Sequence, residues 1–372
     1  MENNHLTYFK VENFKKFESL EVNDIGQFNL IVGDNNVGKT CLLEALLFDE
    51  DAGQLLDNFY IALTKRGFKF EVKQVTTKVG NLSTNETFYP KENYFKKYIF
   101  KKYYNDKSKL SIKYKLNNKA ESEILLIVPE KINSDWIQLG SDLDNDFKNE
   151  GIKIEDFEKE YFRMFYNGKP SKELSVYSYN LKILNFPLIS FNDNPLDEET
   201  IRIYENLKTK KEKQTLINVL KVVNPNIIDI ELRENFQDLK SVFLISFDDK
   251  DEFIPLNFLG DGFKRIFYII LKTISLKGKR IMIDEIEIGI HYSKMKEFWT
   301  NIFKVCNELD VQLFVTTHSK ECIEAYVQAA KEVNEQNIRL IRLQENKDKS
   351  IKTICYKEEY IEYMVETNTE ER

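Results

Sequence analysis

Between Gly33 and Thr40 the chain reads GDNNVGKT: a glycine, four residues, then Gly-Lys-Thr. That spacing suits the grip on a nucleoside triphosphate. Backbone N–H groups of such a loop converge on phosphate, and a helix opening behind it adds positive potential. Gly33 and Gly38 supply backbone geometry that a Cβ forbids. Lys39 is placed to reach the β- and γ-phosphates, and the Thr40 hydroxyl to ligate Mg²⁺ of Mg-ATP. Asp34, Asn35, Asn36, Val37 and Cys41 complete the stretch expected around the phosphates.

Three further clusters fit the same chemistry. IMIDEIE, from Ile281 to Glu287, is an apolar strand ending in an acid pair. Asp284 would hold Mg²⁺ through its water shell, and Glu285 would orient and deprotonate the attacking water. VTTHS, Val315 to Ser319, puts His318 at the end of the next strand, where parallel strands open into a shared crevice. A neutral imidazole there can hydrogen-bond the γ-phosphate and sense its loss. In LGDGFKR, Leu259 to Arg265, the residues Gly260, Asp261 and Gly262 form a second backbone nest ahead of an apolar helix. One triphosphate does not need two nests from one fold, so the second is expected to cap nucleotide held by another copy. His291 is expected at a subunit boundary and His5 on the surface.

The elements that must position these residues follow from periodicity. Phe28–Val32 reads as a buried strand and Cys41–Phe48 as a helix with its leucines turned inward. Tyr8–Phe14 alternates as a strand with one wet face, turned at Lys15 and Lys16. Pro195–Val223 reads as one helix capped by Asp197, and Ile227–Leu232 with Ser241–Phe247 as a hairpin. Strands Arg280–Ile283 and Val311–Val315 alternate with helices, and a hairpin (Ile338–Leu343, Ile351–Tyr356) and a closing helix end the pattern. The predicted class is α/β, a mixed sheet flanked by helices with a large α+β insertion. We expect one discontinuous domain over 1–372, its core 1–48 and 240–372 and its insertion 49–239. Within the insertion, Lys91–Lys119 interleaves lysines with aromatics, a pattern that suits nucleic acid. An amphipathic helix and strand with solvated lysines explains it better. Asp142, Asp144 and Asp146 start like a calcium loop, but Phe147 stands where glycine is needed.

A net charge of −7 gives no global pull towards nucleic acid or acidic membrane. The four cysteines show no C-x-x-C pair and read as small buried hydrophobes in a reducing compartment. Polar residues rather than an apolar segment follow Met1, and no apolar run approaches the roughly 20 residues of a membrane span. The expectation is a cytoplasmic protein without a membrane partner.

The order of YFKVENFKKF, GDNNVGKT, a long insertion, LGDGFKR, IMIDEIE and TTHS resembles ABC-type ATPase heads of the RecF and structural-maintenance-of-chromosomes (SMC) class. More closely it is similar to the "overcoming lysogenization defect" (OLD) group and its stand-alone relatives. The likeness runs from the opening strand to the C-terminal hairpin. It implies that Phe14–Phe17 lies near the adenine, that Gly260 and Gly262 belong to the signature motif, and that Ile286–His291 is the D-loop. Where that group often has Asn-Gly-Leu-His, this chain has Ile288-Gly289-Ile290-His291. Gln54 and Gln74 are both open as the Q-loop residue. The resemblance further implies a homodimer or higher homo-oligomer closing on ATP, with a separate effector (a nuclease or toxin) or DNA receiving the movement, in anti-phage defence or DNA maintenance. Its alternative is an ATP-gated scaffold of negligible turnover that holds the effector inactive. The segment after His318 is too short for a Toprim nuclease domain.

Overall fold

Phe28, Leu30, Ile31 and Val32 leave no polar face on their strand, so it must be covered on both sides. In the computed structural model, which describes residues 4–68, 72–79, 82–90, 98–102, 108–127, 161–175, 186–193, 198–236 and 239–367, Phe28–Gly33 lies inside a six-stranded sheet. The order is Leu188–Ile189, Arg280–Ile283, Gln312–Thr316, Phe28–Gly33, Ile338–Glu345, Ile351–Lys357. All neighbours are parallel except the last pair, an antiparallel hairpin. Side chains alternate across a strand. Leu30 and Val32 therefore enter the core shared with helices Asp261–Ser275, Tyr292–Leu309 and Lys320–Val333. Ile31 enters the opposite core, with helices Lys39–Ala45 and Ala52–Lys65. Asn29, the polar exception, is buried but paired: its amide donates to Gly26 O at 2.8 Å and Leu313 O at 3.1 Å.

The second core is roofed by an antiparallel sheet in the order Phe17–Val22, Leu6–Phe14, Lys109–Leu116, Ser122–Ile127, Tyr161–Tyr166, Lys169–Ser175. Four of these strands come from the inserted α+β segment. Aromatic pairs lock this roof to what lies beneath, Phe9 on Phe48 of the turn after helix Lys39–Ala45 at 5.5 Å and Phe14 on Phe59 of helix Ala52–Lys65 at 5.2 Å. In Lys109–Leu116 the inward residues Leu110, Ile112 and Tyr114 are buried while Lys109 and Lys115 are exposed, as the amphipathic reading expects. The remainder of the basic stretch, residues 91–97 and 103–107, lies outside the described residues, as do Asp142–Glu160 and Asp197.

Three expectations need correction. Pro195–Val223 is not one helix but two, Glu198–Glu205 and Lys210–Leu220. A capping box divides them: Thr209 Oγ1 accepts from Glu212 N at 3.1 Å, and Glu212 Oε2 accepts from Thr209 N at 2.9 Å. The P-loop helix spans Lys39–Ala45 and stops short of Phe48, because Arg280 draws the carbonyls of Leu46 and Phe48 towards its guanidinium. His5 is not a surface residue: it is 5% exposed, with Nε2 3.2 Å from the Asp310 carboxylate. Among the described residues no helix is long and apolar enough to cross a membrane. All four cysteines are free, and burial pushes the Cys322 thiol up to about 12.

Candidate functional site

The loop from Gly33 to Gly38 leaves the central strand and turns back into helix Lys39–Ala45. Gly33 has φ +142° and lies so close to the neighbouring strand that a Cβ would sit 2.4 Å from Leu343 O. Only glycine makes that exit. Asn36 sits in the left-handed region at φ +65°, and Lys16 Nζ donates to its carbonyl. Val37 is buried beneath the loop, and its N–H bonds Asp34 O at 3.2 Å. Cys41 is half-buried beside Arg66, and burial pushes its thiol up.

Lys39 is buried, and its ammonium donates to the carbonyls of Gly33 (2.7 Å) and Asp34 (3.2 Å). Burial lowers its pKa, against the pull of Asp284, Glu285 and Asp34. His318 Nδ1 lies 3.4 Å from the same nitrogen. Thr40 Oγ1 donates to Asp284 Oδ2 at 3.0 Å. Thus the loop and the acid strand already touch through the two residues expected at the metal. The lysine meanwhile rests on carbonyls that phosphate oxygens would replace. The donor set and the closely packed glycine loop fit Mg-ATP.

Three residues not singled out from sequence complete the arrangement. Thr316 is fully buried; its hydroxyl donates to Asp284 Oδ1 at 2.6 Å and accepts from Glu285 N at 2.8 Å. Glu287 Oε1 accepts from His318 N at 2.8 Å, which fixes the turn carrying the imidazole. Arg265 is 5% exposed and donates to Asp284 O (2.8 Å), Glu285 O (3.3 Å) and Ser190 O (3.1 Å). Glu285 itself has φ +50°, a conformation that costs a non-glycine residue about 1–3 kcal/mol. Arg265 and Thr316 hold it there from either side. Replacing Arg265 by Met strips one buried and two part-buried carbonyls of their donor. It is expected to lower Tm by several degrees, at about 1–3 kcal/mol per unsatisfied group. An unchanged melting profile in calorimetry would show that the guanidinium does not support the turn.

A cavity of about 510 Å³ opens at these strand ends, lined by Gly33, Asp34, Asn35, Glu285, Glu287 and His318 among others. Glu285 Oε1 stands 3.9 Å from His318 Nε2 across it. Phe14 and Phe17 do not face it. Both are buried, and the Phe17 ring comes within 3.0 Å of where a Cβ on Gly38 would be. Phe17 supports the loop from beneath and Phe14 packs on Phe59, both with their rings buried. Gln54 does not line the cavity either; its amide donates to Asn58 Oδ1 at 2.9 Å.

The second nest stays outside the cavity. Gly260 caps helix Asp261–Ser275 with open space around it, and Asp261 is exposed, pairing with Lys264 at 2.6 Å. Gly262 is pressed against the turn after the acid pair: a Cβ there would sit 1.8 Å from Gly289 O. That contact gathers exposed apolar side chains around the nest, namely Phe258 (78% exposed), Tyr292 (70%) and Ile288 (36%). His291 is exposed too, and caps helix Tyr292–Leu309.

A family model described as "AAA domain, putative AbiEii toxin, Type IV TA system" matches residues 28–324. A relative from Helicobacter pylori (strain ATCC 700392 / 26695), described as an ATP/GTP phosphatase, is 24% identical over 359 residues, 87% of this chain and 88% of its own. Among solved structures, an SMC head bound to the C-winged helix domain of ScpA matches with a TM-score of 0.55 and 12% identity over 96% of this chain and 99% of its own. An Smc head with an extended coiled coil, bound to the C-terminal domain of ScpA and derived from Pyrococcus furiosus, matches with a TM-score of 0.52 and 12% identity, over 98% of this chain and all of its own. The architecture is that of an ABC-type ATPase head.

Proposed function

The chain belongs to this family of AAA domains and has the fold of an SMC-class P-loop ATPase head, and from that premise we propose that it is an ATP-hydrolysing clamp. Two copies close head to tail on Mg-ATP, hydrolysis opens them, and the movement passes to DNA or to a separate effector protein. The observation that carries this reading is the convergence of Lys39, Thr40, Asp284, Glu285 and His318 at the ends of three adjacent strands. The relative described as an ATP/GTP phosphatase supports hydrolysis, and the ScpA-bound heads support a protein partner. Anti-phage defence or DNA maintenance is the setting we propose, on the strength of the motif resemblance.

In this reading Lys39 exchanges its two loop carbonyls for phosphate oxygens, and the loop N–H groups hold the rest of the chain of phosphates. Thr40 and Asp284 would hold Mg²⁺, whose charge offsets that of the phosphates. Glu285 takes a proton from the attacking water as its oxygen bonds the γ-phosphorus. The bond to the β–γ bridging oxygen then breaks, leaving ADP and phosphate. His318, held by Glu287, hydrogen-bonds the γ-phosphate. Gly260 and Gly262 of the second copy cap it from outside.

The exposed Phe258, Ile288 and Tyr292 around the nest supply apolar area for that second copy. With Mg²⁺ and a non-hydrolysable ATP analogue, mass photometry is expected to find dimers, and monomers without nucleotide. Phe258→Asp is expected to weaken pairing about tenfold or more while each monomer still binds nucleotide. A chain that stays single at high concentration with the analogue overturns the clamp. A slow-turnover gate is the second reading, favoured by Ile288 at the D-loop position where the OLD-like group often has Asn. Nucleotide retained through purification, with turnover indifferent to DNA, would select it.

A further inference from the structure

The C-terminal helix, Glu358–Glu366, presents a face that the nucleotide site does not use. Ile361 and Met364 are buried and seat it on helix Lys320–Val333 and the edge hairpin. On its outer side Tyr360 is 52% and Tyr363 60% exposed. With Tyr356 at the end of the preceding strand they form a ladder. Tyr356 and Tyr360 stack with centroids 4.9 Å apart and planes 9° from parallel, and Tyr363 follows at 6.5 Å. A single exposed aromatic needs no explanation, but a stacked pair with a third, tilted ring beside it suits an interaction surface.

The charge around the ladder says what it would meet. EEYIEYMVE carries four glutamates and no lysine or arginine. Lys331 offsets Glu362 and Glu366 at 3.4 and 2.9 Å. Glu358 and Glu359 form no ion pair among the described residues. Burial, then the neighbouring carboxylates of Glu362, Glu335 and Glu359, hold the Glu358 carboxyl above the usual range, against the weaker pull of Arg339. A cation would relieve the crowding and lie on ring faces that are themselves electron-rich.

We propose that the outer face of Glu358–Glu366, with Tyr356, docks a cationic segment of a partner protein, its arginine or lysine side chains lying on the tyrosine ladder and its charges met by Glu358 and Glu359. The face sits on the last hairpin of the sheet and is independent of the ATPase reading. The test uses the full chain and a fluorescein-labelled peptide of alternating arginine and glycine at physiological salt, read by anisotropy. Tyr360→Ala and Tyr363→Ala together are expected to weaken binding about tenfold, and Glu358→Gln with Glu359→Gln several-fold. Neutralising Asp249 and Asp251, in an exposed acidic turn that has no such ladder, is expected to change nothing. Equal loss in that control, or no loss in either pair on the helix, overturns the proposal. So does single-stranded DNA whose binding depends on the two tyrosines.

Discussion

Glu285→Gln is expected to slow ATP hydrolysis by about 10²- to 10⁴-fold, the usual worth of a positioned general base, while ATP stays bound between two copies. The substitution keeps the volume and leaves the backbone contacts in place: Thr316 Oγ1 still accepts from the residue 285 N–H, and Arg265 still donates to its carbonyl. What disappears is the ability to accept a proton from water. The phosphate loop, Lys39 and the Thr40–Asp284 pair are untouched, so affinity should hold within a few-fold. Single-turnover kinetics with size measurement checks both halves. If the variant hydrolyses ATP like the parent chain, Glu285 is not the base, and Glu287, facing the same cavity, becomes the residue to replace.

Gly262→Ala would make the closest clash of any glycine among the described residues. Its Cβ would lie 1.8 Å from Gly289 O and 2.9 Å from the carbonyl carbon, both backbone atoms that no rotamer change can move. Overpacking commonly costs about 1–3 kcal/mol, and here the displaced turn also carries Glu285. A fall in Tm of several degrees and a loss of turnover of about tenfold or more are expected together. Gly260→Ala separates packing from pairing. No atom lies within 4 Å of a Cβ there, so stability and nucleotide binding should persist while ATP-dependent pairing weakens. If Gly260→Ala pairs and turns over normally, the nest does not cap a second nucleotide. If Gly262→Ala melts with the parent chain, the two turns are not packed as described.

Much of this site was legible because its motifs are local. A run such as Gly33–Thr40 fixes its own loop, and an apolar strand ending in Asp284-Glu285 announces which end faces the crevice. What escaped was non-local. Arg265 was visible inside LGDGFKR, but nothing there says that its guanidinium reaches carbonyls 19 and 20 residues on. Thr316 looked like a strand-end residue until the neighbouring strand brought Asp284 beside it. His5 read as polar surface because its partner lies 305 residues away. The break in the helix before the hairpin was a different kind of miss. Thr209-Lys-Lys-Glu212 is a capping-box pattern, present in the sequence and outweighed by the apolar repeat on either side of it. Phe14 and Phe17 were expected near the adenine by resemblance; their rings are buried instead, Phe17 against Gly38 and Phe14 on Phe59.

Gly33 and Leu343 are register partners, nearly touching, and Gly33 O is one of the two oxygens on which the Lys39 ammonium rests. Leu343 belongs to the hairpin that ends in the tyrosine-bearing helix. The helix packs on both strands of that hairpin, so only sheet pairing separates it from the phosphate loop. Were a partner to dock on the helix and a triphosphate on the loop, a pull on one would be felt at the other through a single sheet.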